Sequence, residues 1–119
     1  MQYIRAYMTH GHFAADLDPL KLEEHYWEEG LAQQFKTQKD QSRTLLNIET
    51  YGFTDADLDR TFHIDLPLWG GLMARKKQYT LRELRDTLSN AYCQKIGVEY
   101  MHIPSRDQCN WIRDRIETR

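Results

Sequence analysis

The chain has no long apolar run. No stretch approaches the ~20 consecutive apolar residues that a membrane-spanning helix requires, so no membrane span is expected. Cysteine is scarce. Cys93 and Cys109 are the two present, and they form no Cys-x-x-Cys pair. Both fall on apolar positions of helical patterns, which predicts buried free thiols in a reducing compartment. Clustered positive charge is missing as well. Sixteen Lys and Arg are spread against eighteen Asp and Glu, for a formal net charge of −2. The densest basic run, Arg75-Lys76-Lys77, is too short to follow a phosphate backbone, so no nucleic-acid partner is expected. Gly70-Gly71 lacks the flanking glycines and the following Lys of a phosphate-binding loop, and no nucleophile elbow is present. The start, Met1-Gln2-Tyr3-Ile4-Arg5, lacks the layout of a secretory signal.

What is present is enough for one modest core. The chain has 119 residues, 40% apolar and 29% charged, with a mean hydropathy of −0.77. That fits a single region with no internal repeat. Three Trp, seven Tyr and four Phe supply much of the buriable area, because each aromatic covers a large surface.

The patterning predicts a mainly α fold: a small helical subdomain with a short extended segment near residues 96–103. A first helix is expected from Met1 to about Gly11, with Ile4, Tyr7, Met8 and Gly11 at i, i+3, i+4 and i+7. It starts with no cap before it, which reads as a chain cut from something longer. Residues 13–22 read as an extended connector, since Pro19 pushes Asp18 away from helical geometry. Leu17, Leu20 and Leu22 on that connector are expected to dock on helices. Residues 23–49, the most polar stretch, are read as a variable or mobile insert. It holds a helix from about Tyr26 to Lys39, with Trp27, Leu31 and Phe35 on one face.

Start signals define the remaining helices. Thr54 with Asp57 three residues on reads as a capping box, with Phe53 and Leu58 as the hydrophobic staple, and predicts a helix to about Phe62. Thr80 with Glu83, flanked by Tyr79 and Leu84, is the clearest box. Leu81, Leu84, Leu88 and Ala91 trace one face to about Cys93. Ser105 with Gln108 opens the last helix, whose inner face is Cys109, Ile112 and Ile116, flanked by Trp111. Between the first and second boxes lies a loop, residues 63–78, rich in large apolar side chains. Leu66, Leu68, Trp69, Leu72 and Met73 must be buried against the domain or a partner, and they are the interface candidates.

No residues assemble into a catalytic, cofactor-binding or metal site. His10 and His12, two apart, have metal-ligand character with His63 or His102 as a third. They lie at a helix end, where imidazoles bond free carbonyls, and no Cys or carboxylate sits at ligand spacing. Asp16 and Asp18, or Asp55, Asp57 and Asp59, are acid pairs by composition. A helix's first turn explains the second group without catalysis. Glu99 and His102, three apart in an apolar run, would titrate unusually if buried, and a satisfied structural pair is the preferred reading.

Three blocks carry a family resemblance. The first runs through Ile4-Arg5-Ala6-Tyr7 and Gly11-His12 to Leu17-Asp18-Pro19-Leu20, and the second is Tyr51 to Asp59. The third joins Thr80-Leu81-Arg82-Glu83-Leu84, Ala91-Tyr92-Cys93, Ile96 to Ile103 and Trp111-Ile112-Arg113. Together they resemble the decarboxylating subunit of 2-oxoglutarate dehydrogenase, in its helical region preceding the catalytic domains. One departure is His10, where the family usually has Arg before Gly-His. The resemblance implies that thiamine diphosphate and magnesium serve the parent enzyme, and that no residue here binds them. It implies oxidative decarboxylation of 2-oxoglutarate with succinyl transfer to lipoyl groups. The implied partners are the remaining catalytic domains, a second subunit in a homodimer, and a succinyltransferase core. The implied location is the mitochondrial matrix, with any presequence upstream or removed, or alternatively a bacterial cytoplasm. The related 2-oxoadipate enzyme and a stand-alone helical interaction module are the rival readings.

Overall fold

The computed structural model describes residues 1–20, 22, 29–64, 70–71 and 75–118. Among these, four helices and one two-stranded sheet make a mainly α unit: α1 Gln2–Ala14, α2 Glu29–Thr44, β1 Thr61–His63, β2 Gln78–Thr80, α3 Leu81–Tyr92 and α4 Arg106–Glu117. Two short 3-10 turns, Ile48–Tyr51 and Asp55–Asp57, precede β1.

The core forms where two amphipathic stripes meet. On α1, Ile4, Tyr7, Met8 and Gly11 are all buried, joined by Tyr3 and Ala6. On α3, Leu81, Leu84, Leu88 and Ala91 are buried, and Leu88 is fully enclosed. The two helices pack on each other. Gly11 sets how closely they approach, because a Cβ there would lie 2.6 Å from Tyr92 Cβ. The Thr80 box is present as expected. Thr80 Oγ1 accepts from the Glu83 N–H at 3.2 Å. The Thr80 N–H donates back to Glu83 Oε2 at 3.1 Å. Two of the otherwise free donors at the helix start are thereby satisfied. Ser105 Oγ likewise accepts from the Gln108 N–H, at 3.4 Å.

Four expectations differ from the structure. The Thr54 box exists, with the Thr54 N–H donating to Asp57 Oδ2 at 2.9 Å, but it opens only the three-residue turn Asp55–Asp57. Asp55, Asp57 and Asp59 leave no apolar stripe to sustain a helix, and a short helix needs tertiary packing to persist. The chain instead enters β1, which pairs antiparallel with β2 in the register Phe62 opposite Tyr79. The pairing continues at both ends: Ile64 N–H to Lys77 O at 2.6 Å and Leu81 N–H to Arg60 O at 3.2 Å. The expected apolar loop is therefore the connection of a β-hairpin.

The connector after α1 also differs. The helix runs on through Ala14, and Leu17, Leu20 and Leu22 are 50%, 74% and 38% exposed rather than docked. Asp18 Oδ1 accepts from the Leu22 N–H at 3.0 Å, and this local bond holds the turn around Pro19. In the polar stretch, α2 extends to Thr44, beyond the expected Lys39. Its end is tied to α1 by Arg43 Nε donating to the Phe13 carbonyl at 3.3 Å. The expected stripe of Trp27, Leu31 and Phe35 lies outside the described side chains. Residues 96–103, finally, join no sheet among the described residues. They turn at 101–102, where the Ile103 N–H bonds the Tyr100 carbonyl at 3.0 Å. Cys109 Sγ donates to the Ile103 carbonyl at 3.3 Å, so the segment is fastened to α4 rather than to a strand.

Candidate functional site

The residues the sequence singled out for chemistry are dispersed. Among the described residues no group of three or more His, Cys, Asp or Glu is placed to hold a metal ion. His12 turns inward and meets Glu99, Nε2 to Oε1 at 3.3 Å. Glu99 thus pairs with His12, not with His102. His12 Nδ1 is buried without a partner. The arrangement fits a neutral ring with its proton on Nε2, since a bare acceptor is less costly to bury than an orphaned N–H. Burial, only partly opposed by Glu99, lowers the His12 pKa below the ordinary imidazole value. Asp16 is engaged with Lys95. Asp57 is held below the usual carboxylate range, chiefly by the Thr54 N–H. Asp59 meets Arg82 at 3.5 Å. Each of these three acids thus has a partner within the chain.

Cys93 and Cys109 are free thiols. Burial pushes the Cys93 thiol up to about 11, which keeps it protonated and unreactive near neutral pH.

The densest polar chemistry lies where α3, α4 and the segment 96–103 converge. Tyr92 and Tyr100 are 0% and 1% exposed, and Arg113 and Glu117 are 4% and 8% exposed. The Tyr92 hydroxyl donates to Glu117 Oε1 at 2.7 Å. It also lies 2.8 Å from the Tyr100 hydroxyl. Arg113 Nε donates to the Tyr100 oxygen at 3.3 Å. A phenol has one proton to give. With the Tyr92 proton committed to Glu117, Tyr100 donates to Tyr92 and Arg113 donates to Tyr100. The result is a directed chain from guanidinium to carboxylate. Burial first, and the Glu117 carboxylate second, push the Tyr92 hydroxyl well above the ordinary phenol range, so it stays a donor. Arg113 also donates to Asn110 Oδ1 at 2.9 Å, and its guanidinium lies 5.7 Å from the Tyr100 ring centroid. Such a cluster orders a core when its members are satisfied. Sequence reasoning missed it because Arg and Glu are rarely fully buried. The signal was there: Arg113 and Glu117 share the i, i+4, i+7, i+8 face of Cys109 and Ile116.

Gly70-Gly71 is explained by the same cluster. Both glycines have positive φ, 64° and 61°. A Cβ on Gly71 would fall 2.3 Å from Glu117 Oε2 and 3.0 Å from Arg113 Cγ, and one on Gly70 would sit against Asn110. The pair lets the backbone at residues 70–71 approach α4 closely. The interface candidates in the hairpin connection, Leu66, Leu68, Trp69, Leu72 and Met73, lie outside the described residues.

No protein-family model matches the chain. Curated relatives do. It is 40% identical over 116 residues to the mitochondrial 2-oxoglutarate dehydrogenase of Dictyostelium discoideum, a match covering 97% of this chain and 10% of that protein. It is 35% identical to the mitochondrial 2-oxoglutarate dehydrogenase of Schizosaccharomyces pombe, with the same coverage. Against the multifunctional 2-oxoglutarate metabolism enzyme of Mycolicibacterium vanbaalenii it is 35% identical over 119 residues, covering all of this chain and 8% of that protein. The chain thus spans about a tenth of the length of the curated relatives it matches. Over nearly all of its residues the chain is homologous to one N-terminal region of proteins named 2-oxoglutarate dehydrogenase.

Proposed function

We propose that this chain is a helical, non-catalytic part of the decarboxylating subunit of a 2-oxoglutarate dehydrogenase, an oxidoreductase of the tricarboxylic acid cycle. Its role is to pack against that subunit's catalytic domains. The supporting observation is the coverage: similarity extends over 97% of this chain but 10% of the relative. The internal chemistry agrees, because Tyr92, Tyr100, Arg113 and Glu117 bond one another in the core. No residue here matches a metal-diphosphate motif of the Gly-Asp-Gly type. Thiamine diphosphate and magnesium therefore belong to the catalytic domains, and no step of the reaction is assigned to this chain. The reaction is the oxidative decarboxylation of 2-oxoglutarate with succinyl transfer to lipoyl groups. Partners are the catalytic domains, a second subunit of a homodimer and the succinyltransferase core.

The word "mitochondrial" in the relatives' names favours the matrix, and the Mycolicibacterium relative is what keeps a bacterial cytoplasm as the alternative. The same names favour 2-oxoglutarate over 2-oxoadipate as the parent's substrate.

Purification from the native source, with mass spectrometry, tests the reading. Recovery of these residues within a longer polypeptide, or with a co-purifying catalytic chain, supports it. That assembly should turn over 2-oxoglutarate faster than 2-oxoadipate when thiamine diphosphate and magnesium are supplied. Recovery as a lone 14.3 kDa species points instead to a stand-alone interaction module. Calorimetric titration of the isolated 119 residues with thiamine diphosphate and magnesium should show no saturable binding. Micromolar affinity would overturn the non-catalytic assignment.

A further inference from the structure

On the outer side of α1 is an open depression of about 610 Å³. Its lining includes Arg5, His10 and His102, with Gln2 and Thr9 as further polar groups and Met101 among its apolar walls. No Asp or Glu is among its lining residues, although the chain as a whole carries a net charge of −2. Every Arg or His named here could meet an acid, yet among the described residues Arg5, His10 and His102 form no ion pair. Elsewhere on the surface Arg60, Lys76, Arg82, Arg85, Lys95 and Arg115 each meet an acid, while Lys36, Arg75 and Arg106, like Arg5, meet none among the described residues. Arg5 thus stands as a charged donor without an acid partner among the described residues, beside two imidazoles and an apolar floor.

We propose that this depression is a docking surface for a carboxylate-bearing segment of the same decarboxylating subunit outside these 119 residues, with Arg5 as its anchor. The inference rests on the reading under Proposed function. Two observations choose this occupant. The relatives are about ten times as long as this chain, so most of the subunit's surface lies outside it. The depression is wide and open, whereas a site for a small anion encloses most of its ligand. Arg at position 5 suits a carboxylate, which its planar fork can take bidentately. The apolar walls, Leu45, Tyr51 and Met101, add contact area, and Tyr51 is held in place by its hydroxyl donating to the Leu45 carbonyl at 2.7 Å.

Two experiments on the assembled enzyme decide it. In the first, Arg5→Glu and Arg5→Lys are compared with wild type for association between this chain and the rest of the subunit. Arg5→Glu should weaken association about tenfold or more, as reversal of one partner in a desolvated charge pair does, and Arg5→Lys should retain most of it. Arg5 is exposed, so the isolated variants should melt like wild type by circular dichroism, which separates lost docking from lost folding. In the second, the Arg5→Lys assembly is treated with a zero-length carbodiimide and digested. Mass spectrometry should find the new amine joined to an Asp or Glu outside residues 1–119. Wild-type association of Arg5→Glu, or cross-links confined to residues 1–119, would overturn the docking surface while leaving the parent assignment intact. Saturable binding of inorganic phosphate or 2-oxoglutarate at these residues would overturn it in favour of a small-anion site. Failure of the wild-type chain to associate with any catalytic polypeptide would remove the reading beneath it.

Discussion

The Tyr92 hydroxyl reaches Glu117 Oε1 across the α3–α4 contact at 2.7 Å, with both residues buried. Removing that hydroxyl leaves a buried carboxylate and the Tyr100 hydroxyl each short of a partner. Tyr92→Phe is therefore expected to cost ~1–3 kcal/mol, the penalty of an unsatisfied buried group. Glu117→Gln should also destabilise. Because the two share one bond, their double mutant should lose less than the sum. Urea melts of the three variants measure this, and full additivity would mean that the directed chain has no energetic reality.

The glycines supply an internal comparison. Gly52 has φ 82° but open space around its missing Cβ, whereas Gly71 has φ 61° and a Cβ position 2.3 Å from Glu117 Oε2. Gly52→Ala is expected to cost ~1–2 kcal/mol from the left-handed backbone alone. Gly71→Ala should cost clearly more, since it adds a clash with a carboxylate already fixed by Tyr92. Equal losses in thermal melts would show that Glu117 can swing away freely.

Thr80→Ala removes the side-chain acceptor for the Glu83 N–H and should cost ~0.5–2 kcal/mol. Glu83→Ala should cost less. The Thr80 N–H, and after it Lys76, hold the Glu83 carboxyl below its usual range, but that side chain is exposed and screened. The two changes should be non-additive because each breaks the other's bond.

Burial lowers the His12 pKa below its ordinary 6.5, and the sign of its linkage follows. The unfolded chain takes up the proton first as pH falls, so stability is full above about 6.5 and is lost as pH drops towards the folded-state value. Unfolding free energy measured from pH 7.5 to 5 should fall over that window. His12→Gln, which keeps a donor for Glu99 but does not titrate, should flatten the curve. An unchanged slope in that variant would move the effect to other groups.

Trp69→Glu tests the apolar hairpin connection. If Leu66, Leu68, Trp69, Leu72 and Met73 face the rest of the subunit, the isolated chain should melt almost as wild type while its association weakens. Outright unfolding would instead place Trp69 in the local core.

Local rules were sufficient where the stabilising partners lie within one helical turn. The Ile4–Gly11 stripe, the Thr80–Glu83 box and the Ser105 cap are interactions of residues three or four apart, and they appear where the sequence placed them. The rule failed at Thr54. There the same box signal was overridden by a strand partner, Tyr79 opposite Phe62, seventeen positions away. No period within residues 54–62 encodes that pairing, because backbone hydrogen bonds between strands carry no residue code. Burial of Arg113 and Glu117 likewise needed the fold. Each would be too costly to bury alone, and it is the convergence of α3, α4 and the Tyr100 segment that brings Tyr92 and Tyr100 to them. The family was legible in ordered short motifs. That His12 would meet Glu99, and that Arg5, His10 and His102 would gather at one depression, was decided by packing between segments some ninety residues apart in the chain, where sequence periodicity has no reach.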